Sequence, residues 1–346
     1  MNQNITLGVV DQTIYRKGST AADALNETVS LAQETEKLGY ARYWVAEHHN
    51  SNSSTGNAPE ILIGQIASKT RHIKVGSGGV MLQHYSALKV AEQFRMLESF
   101  YPGRIELGIG RAPGSDHLTA RALAYPRPPI DIRHFPQMIS DLLGFVDGNL
   151  GDGHPFSRIK TQPGNSPEQV PEIWILGSSD FSAKLAAQLG LPFSFADFFG
   201  TTGLHGPMVT DIYRKEFKPS KYLSEPKVNV TIQVLCAPTE KEARFLGASR
   251  NLNKAGQYFN LMDGLISPEE ATKIEIPSVA KQYIENLQPY YIDGTPDQVH
   301  EKIIAVSERY GTNNIGIVTT CYSYEYRALS YKLVSESFGL DKIKSQ

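Results

Sequence analysis

The chain has 346 residues, with 34 Lys plus Arg against 36 Asp plus Glu, a formal net charge of -2 and 40% hydrophobic residues. That balance excludes a basic nucleic-acid surface and a charged membrane patch, and the length suits one large α/β barrel or two ordinary domains. The two cysteines, Cys236 and Cys321, lie in apolar strand-like runs and read as reduced core residues. No run approaches the ~20 apolar residues that span a bilayer. Residues 1–6 lack the basic and apolar regions of a signal peptide, so a cytoplasmic location is expected.

In chain order, Ile5–Val10 reads as a buried strand, and Thr20–Leu38 as a helix with apolar residues near a 3.6 period and Gly39 as its stop. Tyr40–Ala46 is the second strand, and Pro59–Lys69 a helix with proline in its first turn. The third strand, His72–Val80, ends in glycines; the helix Ser86–Phe100 and the strand Arg104–Gly110 follow. Within that helix, Val90, Phe94, Met96, Leu97 and Phe100 suit either the core or an interface. Arg133–Val146 is helical, and Gly148–Pro171 is a Gly- and Pro-rich excursion. Strands at Glu172–Leu176 and Pro192–Ala196 flank a short helix, Phe181–Leu189. A helix over Pro207–Phe217, a seventh strand over Lys227–Ala237 and a helix from Thr239 come next. Asn251–Asp293 is too long for an ordinary loop and reads as an insertion. A helix to Arg309, an eighth strand over Asn314–Cys321 and a last helix over Tyr324–Phe338 complete the chain. Strands alternating with helices imply parallel strands with crossover helices. Eight of them point to a (β/α)8 barrel in one domain over 1–346, with an open doubly wound sheet as the alternative.

In a barrel the C-terminal strand ends share one face, where sites are built. Those ends are Asp11-Gln12, Glu47-His48, Ser77-Gly78-Gly79, Gly108 to Arg111, Gly177-Ser178-Ser179 and Asp197. Glycines there admit a ligand to the backbone. Ser178 and Ser179, where a helix begins, could hold a phosphate or merely cap the helix. Arg111 could serve the same anion or a surface ion pair. His48 and His49 are adjacent on a strand and point to opposite sides, so they would not readily chelate one metal. One should face the site as a proton donor or acceptor. No metal site is expected.

Six short motifs, in order, resemble the bacterial luciferase-like flavin monooxygenases. They are V-A-E-H-H at Val45–His49, G-S-G-G-V-M-L at Gly76–Leu82 and A-E-Q-F-R-M-L-E at Ala91–Glu98. The others are G-R-I-E-L-G-I-G-R-A-P-G at Gly103–Gly114, I-L-G-S-S at Ile175–Ser179 and G-T-P-D-Q-V at Gly294–Val299. The resemblance implies a (β/α)8 barrel with an insertion after strand seven, near the active site at residues 251–293. It implies reduced FMN supplied by a separate flavin reductase, with which oxygen oxidises a small organic substrate. His48 matches the catalytic histidine, and Glu47 would set its hydrogen bonding. Arg111 and Ser178 should hold the FMN phosphate with Ser179 nearby, and Ser77, Met81 and Gly177 should add cofactor contacts. Gly78-Gly79 lies where relatives carry a non-prolyl cis peptide beneath the flavin ring. A homodimer is expected, as are no nucleic-acid and no membrane partners. Relatives that use a deazaflavin for hydride transfer, or that bind flavin without turnover, are the alternatives. Gly110 stands where luciferase has a reactive cysteine, so light emission is not implied. Asn50 and the Ser51–Gly56 run resemble an uncharacterised bacterial branch of the family.

Overall fold

The computed structural model describes residues 5–112, 114–164, 170–258 and 264–340. Pro113 of the G-R-A-P-G stretch and residues 259–263 of the expected insertion lie outside them. The chain runs β1 (Thr6–Asp11), α1 (Ala21–Lys37), β2 (Arg42–Val45), α2 (Pro59–Lys69), β3 (Lys74–Met81), α3 (Ala87–Phe100), β4 (Ile105–Gly110), α4 (His117–Ala124) and α5 (Phe135–Asp147). It continues with β5 (Glu172–Gly177), α6 (Asp180–Leu189), β6 (Phe193–Asp197), α7 (Gly206–Glu216), β7 (Val228–Cys236) and α8 (Glu240–Lys254). The last part holds α9 (Pro268–Ala271), α10 (Ser278–Leu287), β8 (Ile292–Gly294), α11 (Pro296–Tyr310), β9 (Asn314–Val318) and α12 (Tyr324–Phe338).

All strand pairs are parallel. β1 to β7 pair in sequence order, β7 pairs with β9, and β9 pairs back to β1. That ring is a closed eight-stranded barrel with helices outside, as the alternation predicts. The open-sheet alternative is thereby excluded. β8 was not anticipated. It takes over from β9 as partner of the last part of β7, pairing Val234 with Ile292 and Cys236 with Gly294.

Alternation along each strand sorts residues between two cores. Outward residues such as Val9, Tyr43, Val45, Leu107, Ile109 and Ile175 join the helix layer in one large cluster. In that layer α5 buries Phe135, Ile139, Leu142, Leu143 and Val146, a helical stripe, and Gly148 ends the helix at φ 67°. Each such side chain contributes roughly 1.5–3 kcal/mol on burial. Inward residues form a small interior core of Val10, Trp44, Trp174 and Val318. The two indoles meet edge to face, 5.5 Å apart. α3 divides its apolar residues: Val90, Phe94 and Leu97 are buried, whereas Met96 and Phe100 face outward. Among the described residues no helix is long and apolar enough to cross a membrane. Cys236 and Cys321 are buried free thiols.

Candidate active site

Above the two tryptophans, a cavity of about 400 Å³ opens at the C-terminal ends of β3 to β6. Ligand sites fall in the range of about 300–1,000 Å³. Its floor includes Val10, Trp44 and the Gly78-Gly79 pair, whose peptide bond is cis. A Cβ on Gly79 would lie 2.7 Å from the Gly108 carbonyl oxygen and from Leu176, so only glycine leaves this floor flat. Met81, Gly110, Arg111, Gly177, Ser178 and Ser179 also line the cavity.

Two of these groups lack a partner. Ser179 occupies the N-cap position of α6, yet its side chain makes no cap bond. Its Oγ is buried without a hydrogen-bond partner. The plain-cap alternative is therefore removed for Ser179. The Arg111 guanidinium stacks 4.6 Å from the ring of Phe181, in the first turn of α6, and has no ion pair among the described residues. An unpaired cation and a free hydroxyl at the start of a helix, where backbone N–H groups are also unsatisfied, suit an anion. Ser178 lines the same wall, and its carbonyl meets His205 Nε2 at 3.0 Å.

The remaining sequence-derived residues divide. Ser77 is fully buried and is not among the residues that line this cavity; its Oγ donates to the Gly108 carbonyl at 2.8 Å, tying β3 to β4. Glu47 is also fully buried and is not among the residues that line it. Its carboxylate accepts from the Met81 N–H at 2.9 Å and the Tyr85 hydroxyl at 2.7 Å, and it meets His49 Nε2 at 2.8 Å. Glu47 thus holds His49, not His48, and fixes the end of β3. Asp11 and Asp197 turn away into the helix layer. Asp11 accepts from Tyr43 and Thr28, and Asp197 from Tyr310.

His48 lines a second cavity, of about 470 Å³, formed with Gln12, Gln233, Lys254, Tyr283 and others. Phe198 and Phe199, with ring centroids 4.4 Å apart, line both cavities and form the wall between them. Burial holds the His48 imidazole below its ordinary 6.5, and the Lys254 and His49 charges act in the same direction. Its Nδ1 is buried and unpartnered. Asn253, Lys254, Gln257, Leu265 and Tyr283, from the stretch between β7 and β8, supply much of this second lining. Sequence reading gave no role to Phe198, Phe199 or Lys254. The phenylalanines stand directly after a strand end, which is a usable signal. Lys254 reads in sequence as an ordinary solvated helix lysine.

A family profile of luciferase-like monooxygenases matches residues 5–313. The chain belongs to the luciferase-like monooxygenase family. It is 37% identical over 346 aligned positions to an N-acetyl-S-alkylcysteine monooxygenase of Bacillus subtilis, covering 96% of this chain and 98% of the relative. Crystalline apo-MsnO8 matches with a TM-score of 0.87 and 34% identity, covering 97% of this chain and 99% of the other. The oxygenating constituent of 3,6-diketocamphane monooxygenase from Pseudomonas putida, solved in complex with FMN, matches at a TM-score of 0.70. At 20% identity, with 96% and 98% of the two chains covered, that likeness speaks to the fold alone. Gly110, at the end of β4, lines the first cavity.

Proposed function

We propose that this chain is an FMN-dependent monooxygenase that uses reduced flavin, delivered by a separate reductase, and molecular oxygen to oxidise a small organic substrate. The observation that carries the reading is the unpaired couple on the first cavity, Arg111 and Ser179 Oγ, at the start of α6. They suit the phosphate of FMN, with Ser178 beside them, and the flat Gly78-Gly79 floor suits a planar ring. Met81 and Gly177 line the same space. Reduced flavin, when bound, supplies the electrons with which oxygen oxidises the substrate.

The chain's own groups then have distinct tasks. Phe198 and Phe199, which line both cavities, stand where cofactor and substrate meet and help exclude water. His48, neutral near pH 7 because burial disfavours its charge, has one protonated and one free ring nitrogen. It can therefore give a proton to, or take one from, a molecule in the second cavity. Glu47 and Ser77 act as positioning residues, through Met81 N–H and the Gly108 carbonyl.

Oxygen consumption with supplied reduced FMN, in the presence of an oxidised substrate, tests the role of His48. His48→Ala should lower product formation by about 10²–10⁴-fold, the usual range for a lost general acid or base. Its FMN affinity should hold; unchanged turnover would sink the role. Titrating the apoprotein with FMN and with the deazaflavin coenzyme separates the cofactors, and preference for the deazaflavin would overturn the monooxygenase reading.

A further inference from the structure

We propose that the second cavity receives the anionic group of a small organic substrate, a carboxylate or sulfonate, and that Lys254 is the residue that binds it. The assignment rests on the flavin reading only for which molecule fills which cavity.

Two cations line this cavity, and they differ in what they already hold. Arg250 is spoken for. Its Nη1 and Nη2 donate to the two carboxylate oxygens of Asp293 at 2.8 and 2.7 Å, its Nε donates to Asn251 Oδ1 at 3.1 Å, and it stacks 4.1 Å over Tyr291. Lys254 lies four residues on, in the last turn of α8, facing the same space. Among the described residues it meets no carboxylate and no hydrogen-bond acceptor; its Nζ lies 5.7 Å from the centre of the Phe199 ring. Burial, with Arg250 adding like charge, pushes the ammonium down to about 8. At neutral pH it still carries its proton.

Among the described residues, none that lines this cavity is an Asp or a Glu. Glu47, adjacent to His48 in the chain, is committed to Met81, Tyr85 and His49. The neutral imidazole of His48 does not offset the charge. A half-buried ammonium with no counter-charge among the described residues is costly, and an anion bound beside it offsets that cost. The rest of the lining suits such a molecule. Gln12, Ser53 and Thr320 offer hydrogen bonds beside the charge, and Ile14, Leu265 and Tyr283 offer an apolar wall for a tail. The cofactor phosphate is not the partner implied, because Lys254 does not line the first cavity, where Arg111 stands unpaired.

The test uses the FMN-loaded full chain and acids paired with their neutral amides: hexanoate, hexanesulfonate and N-acetyl-S-butylcysteine. Binding is read from the change in flavin absorbance or fluorescence. At least one acid should bind about 10–100-fold more tightly than its amide, the range for a charge-assisted bond. Lys254→Met should erase that gap, and Lys254→Arg should keep part of it, with FMN affinity unchanged in both. Acids and amides binding alike to the wild-type chain, or no acid binding, would overturn the proposal without recourse to any variant. A loss of FMN affinity in Lys254→Met would overturn it in favour of a cofactor contact. Failure of FMN itself to bind the wild-type chain would instead overturn the flavin reading.

Discussion

At the N-terminal end of the barrel, Arg42, Lys74 and Lys227 meet Glu106 and Glu172; at the C-terminal end, Arg111 and Lys254 meet no carboxylate among the described residues. The lower set is closed on itself. Glu106 accepts from Arg42 Nε at 3.0 Å and from the Trp44 indole at 2.6 Å, and lies 3.4 Å from Lys74 Nζ. Glu172 takes Lys74 at 2.7 Å and also Lys227. Arg42 and Lys227 then sit over the Trp174 ring, each 4.8 Å away, and plug the barrel from below. Charge satisfied within the chain marks stability, whereas charge left open beside a cavity marks binding. The two ends of one barrel therefore respond differently to the loss of a charge.

The largest effect should come from the closed end. Glu106→Ala leaves the buried Trp44 indole without an acceptor and Arg42 without its carboxylate, with only Asn314 Oδ1 at 2.9 Å left to the guanidinium, and should cost about 3–5 kcal/mol in urea unfolding. Glu106→Gln, which keeps an oxygen for Trp44, should recover part of that. If Glu106→Ala cost nothing, pairing would not distinguish the two ends.

The opposite sign is expected at the open end. For Lys254, the fall from 10.5 to about 8 corresponds to at most ~3 kcal/mol of destabilisation. Lys254→Met should therefore stabilise the ligand-free chain at pH 7 by up to that amount. The sign with pH follows from linkage. Between about pH 8 and 10.5 the unfolded chain holds the proton that the folded chain has released, so wild-type stability rises with pH there. The gap between the two proteins should be constant below pH 8 and close above it. A destabilised Lys254→Met at pH 7 would mean that the ammonium is satisfied after all.

Ser179→Ala should show the smallest change. An ordinary N-cap serine costs about 1 kcal/mol when replaced. Ser179 makes no cap bond, so stability should move by less than about 0.5 kcal/mol. FMN affinity should fall about 3–10-fold, the worth of one hydrogen bond. A full cap-sized stability loss with intact FMN affinity would reverse that assignment.

Much of the barrel was legible because local signals agreed with the fold. α2 and α12 begin and end where the sequence places them, helped by Pro59 in the first turn of one and Gly339 at φ 62° after the other. α4 escaped because it is only eight residues long, too short a window for a helical period to stand out. β8 escaped because it is three residues long and pairs only with β7. The first cavity was legible because its Gly, Ser and Arg residues stand at strand ends in short motifs. The second was hidden, since Gln12, His48, Gln233, Lys254 and Tyr283 come together only when the barrel closes. The polar strand ends also misled in part. Asp11 and Asp197 look like site residues, yet serve Tyr43, Thr28 and Tyr310 in the helix layer.

The most direct measurement is a fluorescence titration of FMN with wild-type protein and with Arg111→Ala. The wild-type chain should give saturable one-to-one binding. Arg111→Ala should weaken it about 10–100-fold, the worth of a charge-assisted phosphate contact, with an unchanged urea unfolding curve. No FMN binding by the wild-type chain, or equal affinity in the variant, would contradict the assignment of the first cavity to the cofactor.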